Sequence, residues 1–384
     1  MKRVLILLPL ACVLFISCLG GQNLSDNNMK DAFKDKFMIG AALNQSQYKG
    51  DDIQAVSIIK KHFNTIVAEN CMKSEKLQPK EGHFFFDDAD KFVAFGLENN
   101  MFIVGHTLIW HSQAPAWFFV DDKGFDVSRE MLIERMKNHI TTVVTRYKGK
   151  VHGWDVVNEA ILDDGSWRRS KFYEIIGEEY IKLAFEFAHQ ADPDAELYYN
   201  DYSMAHEGKR NGTINMVKKL QEEGIRIDGI GMQGHMIMEF PSYEAFEQSI
   251  IAFSELGVKV MITELDLSIL PSPHATAGAN IADTSDYENK LNPYTKELPE
   301  DVLKNWEERY HGFFSLFLKH HDKISRVTLW GVTDGDSWKN NWPVKGRTDY
   351  PLLFDRNYQP KPLVQRIMQE AYKQQAEDLL VKGK

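Results

Sequence analysis

Val151-His152-Gly153-Trp154-Asp155-Val156-Val157-Asn158-Glu159 is the stretch whose reading decides the fold. Its centre is apolar and β-branched, as strand interiors are, and it ends abruptly in polar residues. Helical patterns flank it at 128–148 and 171–191, the first opened by a capping residue at Asp126 or Ser128. A strand set between helices belongs to a β–α–β arrangement, whose parallel strands are buried on both faces and read as near-continuous apolar runs.

The same unit recurs in both directions along the chain. Strand-like runs lie at Phe37–Leu43, Asn64–Glu69, Met101–Thr107, Val151–Asn158, Glu196–Asn200, Ile227–Gln233, Val258–Glu264 and Arg326–Gly331. Helical patterns alternate with them at 51–62, 88–100, 128–148, 171–191, 208–223, 242–256, 301–321 and 361–377, with Ser242 as a second clear start signal. Eight strand–helix units in strict alternation, with no composition break between them, predict a single-domain α/β fold, the (β/α)8 TIM barrel. A doubly wound open sheet is the alternative; it would have fewer units and a switch in strand order, and no glycine-rich phosphate loop follows the first strand. One segment breaks the rhythm. From Pro271 to Pro299, after the seventh strand, the chain is polar and lacks helical periodicity, so it is expected as a functional loop folding over the mouth of the barrel.

The chain of 384 residues is 43% hydrophobic, enough for one large core. Its aromatic content of 12% is high, and aromatics beyond the core can serve as flat apolar platforms for a ligand. A formal charge of −10 argues against a nucleic-acid or anionic-lipid surface, which would need clustered Lys and Arg. A neutral polymer fits better.

Lys2 and Arg3 precede the apolar run Val4–Ile16, which is short for a bilayer span and reads as a signal peptide over 1–17. Ser17-Cys18 follows in a context similar to a bacterial lipobox, so Cys18 is expected to carry a lipid, with residues 18–30 as a polar tether and 31–384 as the folded domain. The expected location is across the inner membrane of a bacterium, held there as a lipoprotein at the cell surface or in the periplasm. An ordinary signal peptide with an incidental Cys is the competing reading. With Cys12 in the apolar run and Cys18 at the anchor, Cys71 remains as an ordinary buried thiol with no disulfide partner.

The chemistry-bearing residues gather where the runs end, which in a barrel is the face on which loops converge. The fourth run ends in Glu159, and the seventh ends Ile262-Thr263-Glu264-Leu265-Asp266. Two carboxylates delivered from nearly opposite sides of the mouth can flank one glycosidic bond, one protonating the leaving oxygen and the other attacking the anomeric carbon or activating water. A single Glu in such a place is as readily a structural ion pair; two weaken that account. Around them the third run ends Gly105-His106-Thr107-Leu108-Ile109-Trp110-His111-Ser112-Gln113, the sixth Gly231-Met232-Gln233-Gly234-His235, and the second Glu69-Asn70 with Lys73 a turn later, while Trp330 and Trp338 follow the eighth. Hydrogen-bonding side chains mixed with indoles suit sugars, which present hydroxyl edges and apolar CH faces. His106, His111 and His235 match no compact metal-ligand spacing, so hydrogen bonding is their expected task, and no metal or cofactor is expected.

These motifs, Glu69-Asn70-x-x-Lys73, Gly105-His106-Thr107-Leu108-x-Trp110-His111-Ser112-Gln113, Trp154 to Glu159, Gly231-x-Gln233-x-His235, Thr263 to Asp266 and Trp330-Gly331-x-x-Asp334, resemble those of glycoside hydrolase family 10, the xylanase family, from about Phe37 to the last helix. The resemblance implies a retaining endo-β-1,4-xylanase with Glu159 as acid/base, Glu264 as nucleophile, Asn158 on the sugar 2-hydroxyl and His235 holding Glu264. It implies that Glu69, Asn70, Lys73, His106, Trp110, Gln113, Tyr202, Gln233, Trp330 and Trp338 line the sugar subsites. The expected partner is xylan or a xylo-oligosaccharide, bound by a monomer with no nucleic acid and with membrane contact only through the lipid. A barrel glycosidase on β-1,4-glucans or short oligosaccharides is the near alternative. A non-catalytic surface glycan-binding lipoprotein is the distant one; it has no need of two opposed carboxylates.

Overall fold

The computed structural model describes residues 27–271 and 291–382, so the signal peptide, the Cys18 anchor and the centre of the 271–299 segment lie outside the described residues. The strands are β1 (Met38–Leu43), β2 (Thr65–Ala68), β3 (Phe102–Trp110), β4 (Gly153–Asn158), β5 (Glu196–Asp201), β6 (Gly229–Met232), β7 (His235–Ile237), β8 (Lys259–Ser268) and β9 (Ile324–Leu329). All but β7 form a parallel ring in chain order, in which β6 pairs with β8 and β9 returns to β1. This is the closed (β/α)8 barrel, with helices between successive strands.

The helices begin where the sequence offers a cap. Ser128 accepts from the Met131 amide at 3.2 Å and Ser242 from the Ala245 amide at 3.1 Å, each satisfying one of the amides a helix start leaves unpaired. In Arg129–Arg146 the buried residues Leu132, Met136, His139, Ile140, Val143 and Val144 recur every three or four positions, which makes one face that packs on the strands. The expected helix over 171–191 is two helices, Lys171–Ile176 and Glu179–Ala191. Gly177 adopts φ 86°, a backbone conformation that glycine takes without a Cβ clash and that ends the first helix. Met29 and Lys30, expected in the tether, belong to a turn of helix Met29–Ala32 capped by Asn28, and Met29 is fully buried.

Apolar side chains fill two separate layers. The larger lies between the outside of the barrel and the helices; a smaller one, Ala42, Val67, Val104, Tyr198, Met261 and Trp330, lies within the ring. Gly153 lets the Tyr198 ring cross its strand, since a Cβ there would lie 2.4 Å from the Tyr198 hydroxyl. The ladders slip beside the polar strand ends, between His106 and Ile109, Asp155 and Val157, and Ile262 and Leu265. Such irregularities re-aim side chains. The sixth run continues past Gly234, at φ 81°, as β7, which pairs with the far half of β8 and sets His235 beside Asp266. The eighth strand starts two residues earlier than its run, so Trp330 falls just beyond its end.

Candidate active site

Register does the first assembly. Trp110, Asn158, Asn200 and Gly231 are lateral neighbours on β3 to β6, so their strands deliver polar ends at one height. One residue further, the Glu159 amide donates to the Asn200 carbonyl at 2.9 Å, and the Glu264 amide donates to the Gln233 carbonyl at 2.7 Å.

Both carboxylates are buried, Glu159 at 6% exposure and Glu264 at 5%. Glu159 Oε2 accepts from the Trp110 indole at 2.9 Å and Oε1 from Gln233 Nε2 at 3.0 Å. Burial, then the negative charge of Asp201, raise its carboxyl above the ordinary range; the two hydrogen bonds oppose the shift and Glu264 adds to it. It therefore favours the protonated form. Glu264 Oε1 accepts from Asn200 Nδ2 at 2.7 Å, and Oε2 lies 3.1 Å from His235 Nε2. Burial alone would raise Glu264 too, but the His235 hydrogen bond, the fields of His106 and His235 and the Asn200 bond overcome it and hold it below the ordinary range.

The two environments are joined by amides. Asn158 Oδ1 accepts from Gln233 Nε2 at 3.3 Å and from Asn200 Nδ2 at 3.0 Å, and those donors also serve Glu159 and Glu264 respectively. Behind Glu264, His235 Nδ1 lies 3.0 Å from Asp266 Oδ2, which also accepts from the Trp338 indole at 2.8 Å. Burial works against a charged His235, yet the Asp266 charge and the bonds to Asp266 and Glu264 win and raise it to about 9. With both nitrogens protonated, His235 donates to Asp266 on one side and to Glu264 on the other.

Several of the remaining expected residues contact one another or the groups around the two carboxylates, whereas Gln113 makes its contact only through its backbone. Lys73 Nζ donates to Asn70 Oδ1 at 2.9 Å, lies 5.1 Å from the Trp110 ring, and is drawn on by Glu264, Glu69 and Glu159, although burial lowers its own proton affinity. Burial raises Glu69. His106 pairs through Nδ1 with Asp155 at 2.9 Å and meets the Trp330 ring edge-on at 5.2 Å. Trp338 is tilted over His235 at 4.8 Å and stacks on Trp342 at 4.9 Å. Tyr202 accepts from Arg168 at 2.6 Å, and the Arg168 Nε donates to the Glu159 carbonyl. Gln113, at φ 50°, holds the helix Ser74–Leu77 by its carbonyl, and Asn70 is exposed. His111 stands apart in chemistry, because burial, then Arg168 and Lys209, lower it to about 3 and keep it neutral. Among the described residues no group of three His, Cys, Asp or Glu could hold a metal ion. Cys71 is buried beside Tyr48, and burial pushes its thiol up to about 12, away from thiolate chemistry.

Sequence reasoning missed Asn200, Asp201, Arg168 and the supporting roles of Asp155 and Asp266. The available signal was position: Asn200 and Asp201 end the fifth strand as Asn158 and Glu159 end the fourth. Arg168 lies in a loop, and nothing in the chain around it points back to Glu159. Of the 271–299 segment, the described flanks are tied down: the Pro271 carbonyl accepts from Arg347 at 3.1 Å and Asn292 Oδ1 from the Thr348 amide at 2.9 Å.

Comparison with known proteins agrees with this architecture. The model for glycosyl hydrolase family 10 matches residues 28–370. Endo-1,4-beta-xylanase A of Xylanibacter ruminicola is 50% identical over 95% of this chain and 96% of its own. An endo-1,4-beta-xylanase of Geobacillus stearothermophilus is 42% identical over 89% of this chain and 98% of its own. A solved GH10 endoxylanase from a sugarcane soil metagenome superposes with a TM-score of 0.85 at 43% identity, covering 90% of this chain and 99% of that one.

Proposed function

The chain belongs to glycosyl hydrolase family 10, and from that premise we propose that it is a retaining endo-1,4-β-xylanase that cuts internal bonds of xylan. The observation that carries the mechanism is the opposite shift of two equally buried carboxylates, Glu264 below and Glu159 above the ordinary range. Carboxyls pushed apart in this way divide into a nucleophile and an acid.

Ionised Glu264 attacks the anomeric carbon while Glu159 gives its proton to the leaving glycosidic oxygen; the C–O bond breaks as the glycosyl–Glu264 ester forms. The ester removes the negative charge opposite Glu159, which then takes a proton from water as the water oxygen attacks the same carbon and Glu264 departs. Asn158 bonds the sugar 2-hydroxyl, and His235 keeps Glu264 ionised and aimed. Lys73, Glu69, Asn70, His106, Gln113, Tyr202 and Gln233 supply polar contacts, with Trp110, Trp330 and Trp338 as the apolar walls.

The test is product analysis on xylan and on a β-1,4-glucan, with the anomer followed in the first minutes by NMR. A ladder of xylo-oligosaccharides of retained β-configuration is expected. Initial release of the α-anomer would remove the double displacement, and faster cutting of the glucan would change the substrate. The N-terminal reading is part of the same proposal: acylated Cys18 tethers the enzyme to a membrane, and Cys18→Ala releases it with unchanged specific activity.

A further inference from the structure

Behind Glu159 lies a buried charged pair that the steps above do not use. Asp201, the last residue of β5, and Lys209, on helix Glu207–Glu222, are both fully buried. Asp201 Oδ1 accepts from Lys209 Nζ at 3.0 Å and from the Tyr202 amide at 2.8 Å, and Oδ2 accepts from the Tyr199 hydroxyl and from the Ile161 amide at 3.3 Å. The Tyr199 hydroxyl itself accepts from the amides of Ala160 and Ile161 at 3.0 and 3.1 Å. Those amides are the backbone that leaves Glu159, and Glu159 sits at φ 59°, where a side chain is kept only if its surroundings over-determine it.

Resting on the reading of Glu159 as acid/base, we propose that Asp201 is a positioning residue for it, gripping through Tyr199 and the Ala160–Ile161 amides the left-handed turn that presents the carboxyl, with Lys209 as the counter-charge that makes a buried Asp201 tolerable. The grip also has an electrostatic side. Charged or titratable groups act on Glu159 from several elements: Lys73 after β2, Arg168 on its own loop, Asp201 and Tyr202 at the end of β5, and Glu264 on β8; Lys209, with Asp163 and His111 near it, stands behind Asp201. Of the two negative charges, Glu264 loses its own when the glycosyl ester forms. Asp201 takes no part in the covalent step, so its field still favours proton uptake at Glu159 after the opposite neighbour has been neutralised.

The test compares Asp201→Asn, the double variant Asp201→Asn/Lys209→Gln, which avoids leaving the buried ammonium with only the exposed Asp163, 3.1 Å away, as its charged partner, and Tyr199→Phe, which removes the bridge without touching charge. Each is assayed on xylan and on aryl xylobiosides with good and poor leaving groups, across pH, beside Glu159→Ala. The variants lacking the Asp201 charge are expected to lose about tenfold or more on xylan and the poor leaving group, a part of the ~10²–10⁴ that a general acid supplies, and far less on the good one. Their alkaline limb moves to lower pH, because the charge that favours protonated Glu159 is gone. Tyr199→Phe shows the same leaving-group split with its alkaline limb in place. Equal losses on all three substrates with an unmoved limb, in the variants that fold, would overturn the role of Asp201. If Glu159→Ala is itself equally impaired on good and poor leaving groups, it is the acid/base reading that fails.

Discussion

The wall of the barrel at β8 and the wall at β4 and β5 bury the same side chain to the same depth and shift its proton affinity in opposite directions. Glu264 and Glu159 are 5% and 6% exposed, so desolvation does not distinguish them. Neighbours do. Glu264 faces His235, raised to about 9 and held by Asp266, whereas Glu159 faces neutral donors and has Asp201 behind it. Burial by itself raises a carboxyl, as it does Glu159 with Asp201 adding to it, and at Glu264 the bond and field of His235 turn the shift downward.

The strongest way to break this contrast is to remove each carboxylate in turn. Glu264→Ala should lose turnover on every substrate by more than the ~10²–10⁴ of a general acid, since the proposed covalent ester could not form. Glu159→Ala should lose about that factor on xylan, retain glycosylation of aryl xylosides with good leaving groups, and regain turnover with azide as an external nucleophile. Steady-state rates on the two substrate types measure this directly. Identical profiles for the two variants would mean that the walls are not specialised.

A smaller effect comes from taking away the partner that makes the β8 wall different. His235→Gln leaves Glu264 buried without its cationic donor, so its pKa rises and the acid limb of kcat/KM moves to higher pH, with a loss at neutral pH of about one to two powers of ten. Stability carries the same signature. A group whose folded pKa is raised from 6.5 to about 9 contributes fully below the lower value, and the contribution is lost as pH rises through about 9. The wild-type Tm should therefore fall across that window, and the fall should shrink in His235→Gln; a pH-independent difference in Tm between the two would contradict the assigned charge.

The contrast also separates what a sequence can and cannot carry. Strand–helix alternation was legible because buried parallel strands are written as apolar runs, and the candidate site was legible where polar residues end such runs, as Glu159 and Glu264 do. The break in the sixth strand was not, because Gly234 at φ 81° looks like any glycine until the Asp266 register beside β7 is seen. Nor was the split of the helix at Gly177, since the apolar spacing runs on through it. The backing of the site was hidden for a similar reason: Asp201, Lys209 and Arg168 act through partners that are distant in the chain, and local pattern holds no record of such pairs.

The smallest expected effect tests how far the β8 wall extends. The Trp338 indole donates to Asp266 Oδ2 at 2.8 Å and its ring packs against His235 and Trp342, so its ring reaches Glu264 through His235 and its N–H through Asp266 and then His235. Trp338→Phe keeps an aromatic surface and removes the donor. Asp266 retains His235 at 3.0 Å, and Lys339 lies 3.7 Å from its other oxygen, so its charge stays compensated. The hydrogen bond lost is one to a charged group, of about 1.5–3 kcal/mol, but most of that falls on Asp266 and only a fraction reaches Glu264. The acid limb should thus move little, while the reduced and less firmly held ring weakens sugar stacking and raises KM by roughly three- to tenfold with kcat nearly kept. A fall in kcat as large as that of His235→Gln, with KM unchanged, would instead make Trp338 part of the machinery that sets the charge on Glu264.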